Sequence, residues 1–201
     1  MPAAWISSAS PVPSPKPSST TGLPVFDLGF GEGTGEADEI QAAGISSYLA
    51  GLGGDDVVRA AAYADTAGAI LAGDILEGRD GDDRLYGADA GSQLFGGDGD
   101  DLLVSYDADD VLATGFGNDI IDLSQSTGGL KVIDTASDSD PSGQAAQLNR
   151  IILPFDPTGA DVEFARDGAH LIIAATYTPA GSDTPRDIGL LLADYFADGM
   201  K

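Results

Sequence analysis

The chain contains no cysteine, a single histidine and few basic residues, and each shortage excludes a class of site. Without cysteine there are no disulfides and no thiolate metal sites. The lone His170 cannot build a histidine-rich zinc site. Nine Lys and Arg residues stand against 33 Asp and Glu residues, so the formal net charge is -24 over 201 residues. That charge argues against binding nucleic acid or an anionic membrane surface, and it favours the binding of cations.

Long apolar runs and the motifs of common hydrolases are also lacking. The longest apolar run, near residues 189–192, is far too short to cross a membrane. Residues 1–20 lack the basic start and the apolar stretch of a secretory signal peptide, so we expect no such signal there. H-E-x-x-H and G-x-S-x-G are both missing, and His170 has no partner pattern. We therefore expect no enzyme. The rival hypothesis of a hydrolase in the C-terminal part is tested by replacing His170 with alanine.

Composition divides the chain into four segments. Residues 1–24 are rich in proline and serine and are predicted to be a disordered leader. Residues 25–131 form a repeat array, in which residues 25–30 are expected to close the first coil. Residues 132–147 are small and polar and form a predicted connecting loop. Residues 148–201 are predicted to form a compact β cap over the open end of the array, with strands within residues 148–155, 161–166, 170–178 and 188–196.

The array repeats every nine residues. Steps of nine in both directions from Asp101 meet an aspartate at eight of ten positions and a serine at the other two. The residue two places after each of these positions is apolar, which indicates a solenoid rather than a helix. Leu130 continues the apolar positions once more, with Gly128 in the aspartate position. The ten positions are Asp38, Ser47, Asp56, Asp65, Asp74, Asp83, Ser92, Asp101, Asp110 and Asp119, and the apolar residues after them are Ile40, Leu49, Val58, Ala67, Leu76, Leu85, Leu94, Leu103, Leu112 and Ile121.

Each unit is expected to form a six-residue turn and a three-residue strand, with two units in one coil. Strands one coil apart stack at about 4.8 Å, which places the aspartate of one turn beside the aspartate two units later. Crowded carboxylate and carbonyl oxygens suit Ca²⁺, which takes about six to eight oxygen ligands. The ion would neutralise the carboxylates and crosslink neighbouring coils. Two alternatives stay open: a disordered Gly/Asp-rich linker and a solenoid without metal.

Three units, GRDGDDRLY (78–86), GGDGDDLLV (96–104) and TGFGNDIID (114–122), resemble the G-G-x-G-x-D-x-U-x nonapeptide of the RTX, or haemolysin-type, calcium-binding repeats. Arg79 and Thr114 depart from the motif at its second and first positions. The resemblance implies an all-β fold: a right-handed parallel β-roll, which is a β-solenoid with two nine-residue units per coil, with a C-terminal β cap. It also implies Ca²⁺ held between the turns of successive coils.

The repeat register predicts which aspartates share an ion. One flank is expected to carry the turns that begin at residues 60, 78, 96 and 114, and the opposite flank those at 33, 51, 69, 87 and 105. Two calcium sites are predicted on the former, one between Asp83 and Asp101 and one between Asp101 and Asp119. A third is predicted between Asp38 and Asp56 on the opposite flank. The candidate calcium ligands and turn residues are Asp38, Asp56, Gly78, Asp80, Gly81, Asp83, Gly96, Gly97, Asp98, Gly99, Asp101, Asp110, Gly115, Gly117 and Asp119.

The C-terminal segment resembles the haemolysin-type region that follows RTX repeats. A strand pair around the Arg-x-Gly turn at residues 166–168 leads to a strand that ends in Tyr195 and Phe196. This resemblance implies export by a type I secretion machinery through an uncleaved C-terminal signal. The predicted function is a secreted, extracellular calcium-binding module that folds on binding Ca²⁺ outside the cell. The alternative is an adhesin or biofilm-matrix protein that binds a surface or glycan through the roll or the cap.

Overall fold

The computed structural model describes residues 25–26, 30–42, 47–60, 73–87, 91–106, 109–126, 128–134, 149–156, 158, 160–193 and 195. They form sixteen strands in two sheets, with almost no helix. No helix in this part of the chain is long and apolar enough to cross a bilayer. The predicted leader at residues 1–24, most of the predicted connecting loop and most of the predicted turn at residues 60–65 lie outside the described residues.

Both sheets are built mainly from parallel strands, numbered here in chain order. In spatial order, the seven-stranded sheet contains β1 (Val25–Phe26), β3 (Glu39–Ala42), β5 (Val57–Arg59), β7 (Arg84–Tyr86), β9 (Leu102–Val104), β11 (Ile120–Asp122) and β13 (Arg150–Ile152). The nine-stranded sheet contains β14 (Asp161–Asp167), β15 (His170–Tyr177), β16 (Arg186–Ala193), β12 (Gly129–Asp134), β10 (Val111–Phe116), β8 (Gln93–Asp98), β6 (Ile75–Asp80), β4 (Tyr48–Gly53) and β2 (Phe30–Glu32). This is the parallel, all-β architecture expected from the repeat.

Successive coils stack because each inward-facing strand position carries an apolar side chain. Leu85 pairs with Leu103 in the seven-stranded sheet, and Leu76 pairs with Leu94 in the nine-stranded sheet. Burying one such side chain contributes about 1.5–3 kcal/mol. The predicted core positions are confirmed for nine residues that are each at most 2% exposed: Ile40, Leu49, Val58, Leu76, Leu85, Leu94, Leu103, Leu112 and Ile121.

The turns of the array depend on glycine at two positions. Gly97 and Gly99 have φ angles of 128° and 135°, which residues with a side chain rarely adopt. The close approach of the coils also excludes a side chain, because a methyl group at Gly99 would collide with the carbonyl oxygen of Gly81. Leu52 and Arg79 occupy the second turn position with φ angles of 86° and 89°, a strained conformation for residues that carry a Cβ.

One nine-residue unit is bypassed near the start of the array. β4 pairs with β6, and β5 with β7, at steps of 27 residues, whereas β6 pairs with β8 at a step of 18. One extra unit of nine residues is half a coil, so the expected placement of the turns at 33 and 51 on the opposite flank is wrong, whereas the turns at 78, 96 and 114 share one flank as expected. The turns that begin at residues 33 and 51 lie on the same flank as those at 78, 96 and 114. The sequence is compatible with a bypass, since the unit at residues 60–68 has no glycine in its turn and only Ala67 at the apolar position.

The end of the array departs from the repeat as well. β10 pairs with β12 at a step of 21 residues rather than 18. This register places Ile133 in the core beside Leu112 and leaves Leu130 48% exposed. The expected continuation of the core at Leu130 is therefore wrong. Lys131 takes the aspartate position that the repeat assigns to Gly128.

The strands that follow the array continue both of its sheets. β13 completes the seven-stranded sheet by pairing with β11, where Ile151 lies opposite Ile121. β16 pairs in parallel with β12, and β15 and β14 follow it in antiparallel order. Tyr177 on β15 anchors this extension: its hydroxyl donates a 2.9 Å hydrogen bond to the carbonyl oxygen of Ser126, and its ring centroid lies 4.9 Å from that of Phe155.

Candidate metal centre

One flank of the array carries an unbroken row of aspartates. We call it the first flank; it consists of the turns 33–38, 51–56, 78–83, 96–101 and 114–119, one in each coil. The sixth residue of every turn is an aspartate. In the first four turns its backbone N–H donates to Oδ1 of the aspartate in the next coil, with N–O distances from 2.7 to 2.9 Å. The row consists of Asp38, Asp56, Asp83, Asp101 and Asp119.

The other carboxylate oxygen, Oδ2, is buried without a hydrogen-bond partner in most of this row. The side chains concerned are at most 2% exposed, so bulk water does not solvate them. A buried carboxylate that lacks a partner is costly, and it favours either protonation or a bound cation. Asp38 differs, since its Oδ2 accepts hydrogen bonds from the backbone N–H and the hydroxyl of Thr34. The unpartnered oxygens belong to Asp56, Asp83, Asp101 and Asp119.

Burial raises the pKa values of these four carboxyl groups. Loss of hydration is the largest cause in each case, and a hydrogen bond from the backbone N–H one coil away offsets part of it. For Asp119 a hydrogen bond with the Thr114 side chain lowers the pKa as well, and repulsion from nearby aspartates raises the pKa of all four groups. The pKa is raised to about 6 for Asp56 and for Asp83, and to about 8 for Asp101. That of Asp119 is raised as well. Asp101 lies between two acidic neighbours, Asp83 and Asp119. Without a cation, Asp101 therefore retains its proton at neutral pH.

The Oδ2 atoms of Asp56, Asp83 and Asp101 each face the glycine at the first position of their own turn, whereas the turn of Asp119 has Thr114 at that position. A methyl group at Gly96 would collide with Oδ2 of Asp101 and with the carbonyl oxygen of Thr114 in the next coil. A methyl group at Gly78 would meet Oδ2 of Asp83 and the next coil's carbonyl oxygen in the same way. Carboxylate and carbonyl oxygens from two coils thus converge on one space, which only glycine keeps open.

The converging atoms are hard oxygens, and they fit a calcium ion. Ca²⁺ takes about six to eight oxygen ligands from carboxylates and carbonyls, in adaptable geometry. In the part of the chain that the structure describes, no group of three or more His, Cys, Asp or Glu side chains is placed to hold a metal. Backbone carbonyls therefore have to supply the remaining ligands of any ion between two coils. Such an ion would pair the Oδ2 atoms and reduce the repulsion along the row.

A comparison with protein-family models identifies the repeat. The model of the RTX calcium-binding nonapeptide repeat, which spans four copies, matches residues 72–90 and 89–121. These residues contain the three turns that end at Asp83, Asp101 and Asp119. Residues 72–121 carry RTX calcium-binding repeats. RTX repeats bind calcium and are typical of secreted proteins that leave the cell by type I export. A comparison with curated proteins gives no match.

The first flank extends beyond the residues that match the RTX model. The structure places Asp38 beside Asp56, the pair expected from the sequence, but on the first flank rather than on the opposite one. It also places Asp56 beside Asp83, where the backbone N–H of Asp56 donates a 2.8 Å hydrogen bond to Oδ1 of Asp83. Sequence reasoning missed this pair, because a regular two-unit coil puts the two residues on opposite flanks.

The opposite side of the array has a different chemistry. We call it the second flank; its sixth-position residues are Ser47, Asp74, Ser92, Asp110 and Lys131. Serine separates the carboxylates, and the backbone N–H groups of Ser47 and Ser92 each donate a 2.6 Å hydrogen bond to the next aspartate. The candidate ligand Asp110 therefore lies on the second flank, apart from the other candidate aspartates. Asp74 and Asp110 are separated by a full coil.

The remaining candidate residues lie around the same first-flank turns. The side chains of Asp80 and Asp98 occupy the third turn position and are exposed at the rim. The glycines at the second and fourth positions allow a close approach to the preceding coil, because a methyl group at each would collide with a carbonyl oxygen of that coil. These glycines are Gly81, Gly97, Gly99, Gly115 and Gly117.

Asn149 ends the row on the first flank, and the sequence analysis did not identify it. The backbone N–H of Asp119 donates a 3.0 Å hydrogen bond to its Oδ1, and its amide donates to the Thr114 hydroxyl at 3.1 Å. Asn149 precedes Ile151 by two residues, as Asp119 precedes Ile121. The same two-residue spacing could have identified Asn149 as a turn residue of the array. The step of 30 residues between β11 and β13, however, does not follow the repeat.

Proposed function

We propose that the chain is a secreted RTX module that binds Ca²⁺ along the first flank and couples this binding to folding. The observation that carries the proposal is the row of four buried Oδ2 atoms without hydrogen-bond partners. Unpaired buried carboxylates oppose folding unless a cation or a proton compensates them. The RTX match over residues 72–121 supports calcium as the cation. In this proposal the module has no catalytic role.

The proposed ligands are the first-flank aspartates and the carbonyl oxygens of neighbouring turns. One ion belongs between Asp83 and Asp101, and one between Asp101 and Asp119. The contact between Asp56 and Asp83 adds a third position, which closes the coil where one unit is bypassed. Asp38 is the weakest ligand of the row, because Thr34 already satisfies its Oδ2. The chemistry that the ions supply is charge compensation.

Coupled folding accounts for a module that leaves the cell before it folds. Cytosolic Ca²⁺ is scarce, whereas millimolar Ca²⁺ outside fills sites with dissociation constants of about 10⁻⁴ to 10⁻³ M. Binding free energy then becomes folding free energy. We propose that the metal-free chain passes a type I export machinery in a loose state and winds into a right-handed roll outside. In that state the C-terminal strands cover the end of the roll.

Calorimetric titration with Ca²⁺, followed in parallel by far-UV circular dichroism, tests this function. We expect strand content to be low in chelator and to rise with the number of ions bound. Asp101→Asn and Asp83→Asn should each lose more bound Ca²⁺ than any other single substitution in the row, because each of these aspartates lies between two proposed ions. The matched control is Asp98→Asn, which removes the same charge from an exposed position in the same turn.

Two results would contradict the proposal. The first is the same strand content in chelator and in millimolar Ca²⁺, which would separate folding from the metal. The second is an equal loss of bound Ca²⁺ in Asp101→Asn and Asp98→Asn, which would show that the buried row is not the binding site.

A further inference from the structure

The second flank ends in a buried lysine that the proposed calcium sites do not use. Lys131 is fully buried, and its Nζ lies 4.0 Å from Oδ2 of Asp110, which is fully buried too. The same ammonium donates a 3.2 Å hydrogen bond to the carbonyl oxygen of Gly128. Lysine is almost never fully buried unless its charge is paired. The burial of Lys131 therefore depends on the carboxylate of Asp110.

Asp110 is fully engaged by groups of the chain itself. Its Oδ1 accepts a 2.6 Å hydrogen bond from the backbone N–H of Ser92, and its Oδ2 accepts a hydrogen bond from the hydroxyl of Ser105. With Lys131 beside it, Oδ2 has both a hydrogen-bond donor and a positive charge. Four of the five first-flank aspartates, all except Asp38, lack a hydrogen-bond donor at the same atom.

The position of Lys131 in the array is equivalent to that of the next aspartate. Lys131 precedes Ile133 by two residues, as Asp110 precedes Leu112, and Ile133 and Leu112 are register partners. The ammonium thus stands one coil after Asp110, where the first flank would have another carboxylate and an ion between the two. A positive side chain in that place supplies the compensating charge from within the chain.

We propose that the Lys131 ammonium is a built-in cation, which compensates Asp110 where the first flank requires calcium, so that Asp110 binds no metal. A Ca²⁺ ion at Asp110 would have to displace both the Ser105 hydroxyl and the ammonium, and it would meet a buried positive charge. It follows that the second flank forms without metal at this end, next to the strands β12 and β16. This inference rests on the proposed function only for the comparison with calcium; the ion pair itself is independent of it.

The test combines a stability cycle with a count of bound ions. Lys131→Met keeps the apolar stem and removes the charge, which leaves Asp110 buried and uncompensated. We expect the Tm to fall by about 10 °C or more. Adding Asp110→Asn to it removes the carboxylate charge, and the double variant should recover at least half of the loss. Arg84→Met, which removes an exposed positive charge, is the control and should leave the Tm within about 2 °C of the wild type.

The ion count separates the two flanks. Asp110→Asn should bind as many Ca²⁺ ions as the wild type, whereas Asp101→Asn should bind at least one fewer. One ion fewer in Asp110→Asn would overturn the proposal, and so would a wild-type Tm in Lys131→Met or a double variant no more stable than Lys131→Met. If Lys131→Met does not fold and the double variant does, the proposal is supported; if neither folds, the ion count of Asp110→Asn decides. A wild type that binds no Ca²⁺ refutes the proposed function, while the stability cycle still measures the ion pair.

Discussion

The two flanks of the array use the same turn position in opposite ways. On the first flank five aspartates follow one another from coil to coil, and four of them have a buried oxygen without a partner. On the second flank serine alternates with aspartate, and Lys131 occupies the last position. Both rows share the backbone hydrogen bond from one coil to the next carboxylate, so the difference lies in charge rather than in the fold.

The spacing of carboxylates along each flank determines how strongly they repel. Two unit charges at the coil spacing of about 4.8 Å repel by about 3.5 kcal/mol at an effective dielectric constant of 20, and by about half as much two coils apart. Alternation with serine therefore removes much of the repulsion on the second flank. On the first flank every coil carries a carboxylate, so the whole row can ionise only when an external cation compensates it.

The largest effect is expected from adding a carboxylate to the second flank, at a coil where it now has a serine. Ser92 is fully buried between Asp74 and Asp110, so Ser92→Asp places buried carboxylates in three successive coils. An uncompensated buried charge costs about 3–5 kcal/mol. We expect folding to require a higher Ca²⁺ concentration, and the transition to become steeper as ions bind on this flank as well. Far-UV circular dichroism during a Ca²⁺ titration measures both quantities.

Ser92→Asn is the control, because it has nearly the shape of aspartate but no charge. Its Ca²⁺ titration should resemble that of the wild type much more closely. Superimposable titrations of the two variants would show that the spacing of charges does not distinguish the flanks.

The second largest effect should come from closing a space on the first flank. Gly96→Ala introduces a methyl group against Oδ2 of Asp101 and the carbonyl oxygen of Thr114. Overpacking of this kind costs about 1–3 kcal/mol, and it also removes the space proposed for an ion. We expect lower Ca²⁺ stoichiometry in calorimetry together with a lower Tm. Gly35→Ala is the control, since a methyl group there meets no atom within 4 Å; an equal loss in both variants would argue against an ion beside Gly96.

The buried core residues of the array could be predicted from the sequence, whereas the pairing of coils could not. A nine-residue period fixes which side chain of a unit points inward, and residues such as Leu85 and Leu94 are buried as expected. The period does not determine which unit stacks on which, because every unit offers an inward apolar residue. The steps of 27, 21 and 30 residues are therefore invisible in it. These steps bring Asp56 to Asp83 and place Lys131 and Asn149 at the ends of the rows.

An intermediate effect is expected from pH. The pKa of Asp101 is raised to about 8 and those of Asp56 and Asp83 to about 6, against about 3.9 in an unfolded chain. Since the metal-free fold binds more protons than the unfolded chain, its stability is highest in acid and is lost as the pH rises through these values. Calcium has to displace the same protons, so its affinity should rise between pH 6 and 8, by up to about tenfold per pH unit for each proton released.

Calorimetry in buffers of different ionisation enthalpy counts the protons released. Asp101→Asn should abolish the part of the pH dependence between about 7 and 8 and retain the part near pH 6. A Ca²⁺ affinity that is constant from pH 6 to 8 would contradict protonation of the first flank. The second flank provides the internal control, because Asp110→Asn should leave the whole pH profile unchanged.

The smallest effect is expected from relieving backbone strain in a turn of the first flank. The second turn position is glycine in two turns, but Leu52 and Arg79 hold it at positive φ and lie side by side as register partners. A left-handed conformation costs a residue with a Cβ about 1–2 kcal/mol, and a glycine avoids this cost. Part of the gain is offset, because glycine loses more conformational entropy on folding. Leu52→Gly should therefore raise the free energy of unfolding by up to about 1 kcal/mol, seen as a Tm increase of a few degrees. Leu102→Gly, at a strand position without positive φ, should lower the Tm instead; a decrease in both variants would mean that side-chain packing at Leu52 outweighs its backbone strain.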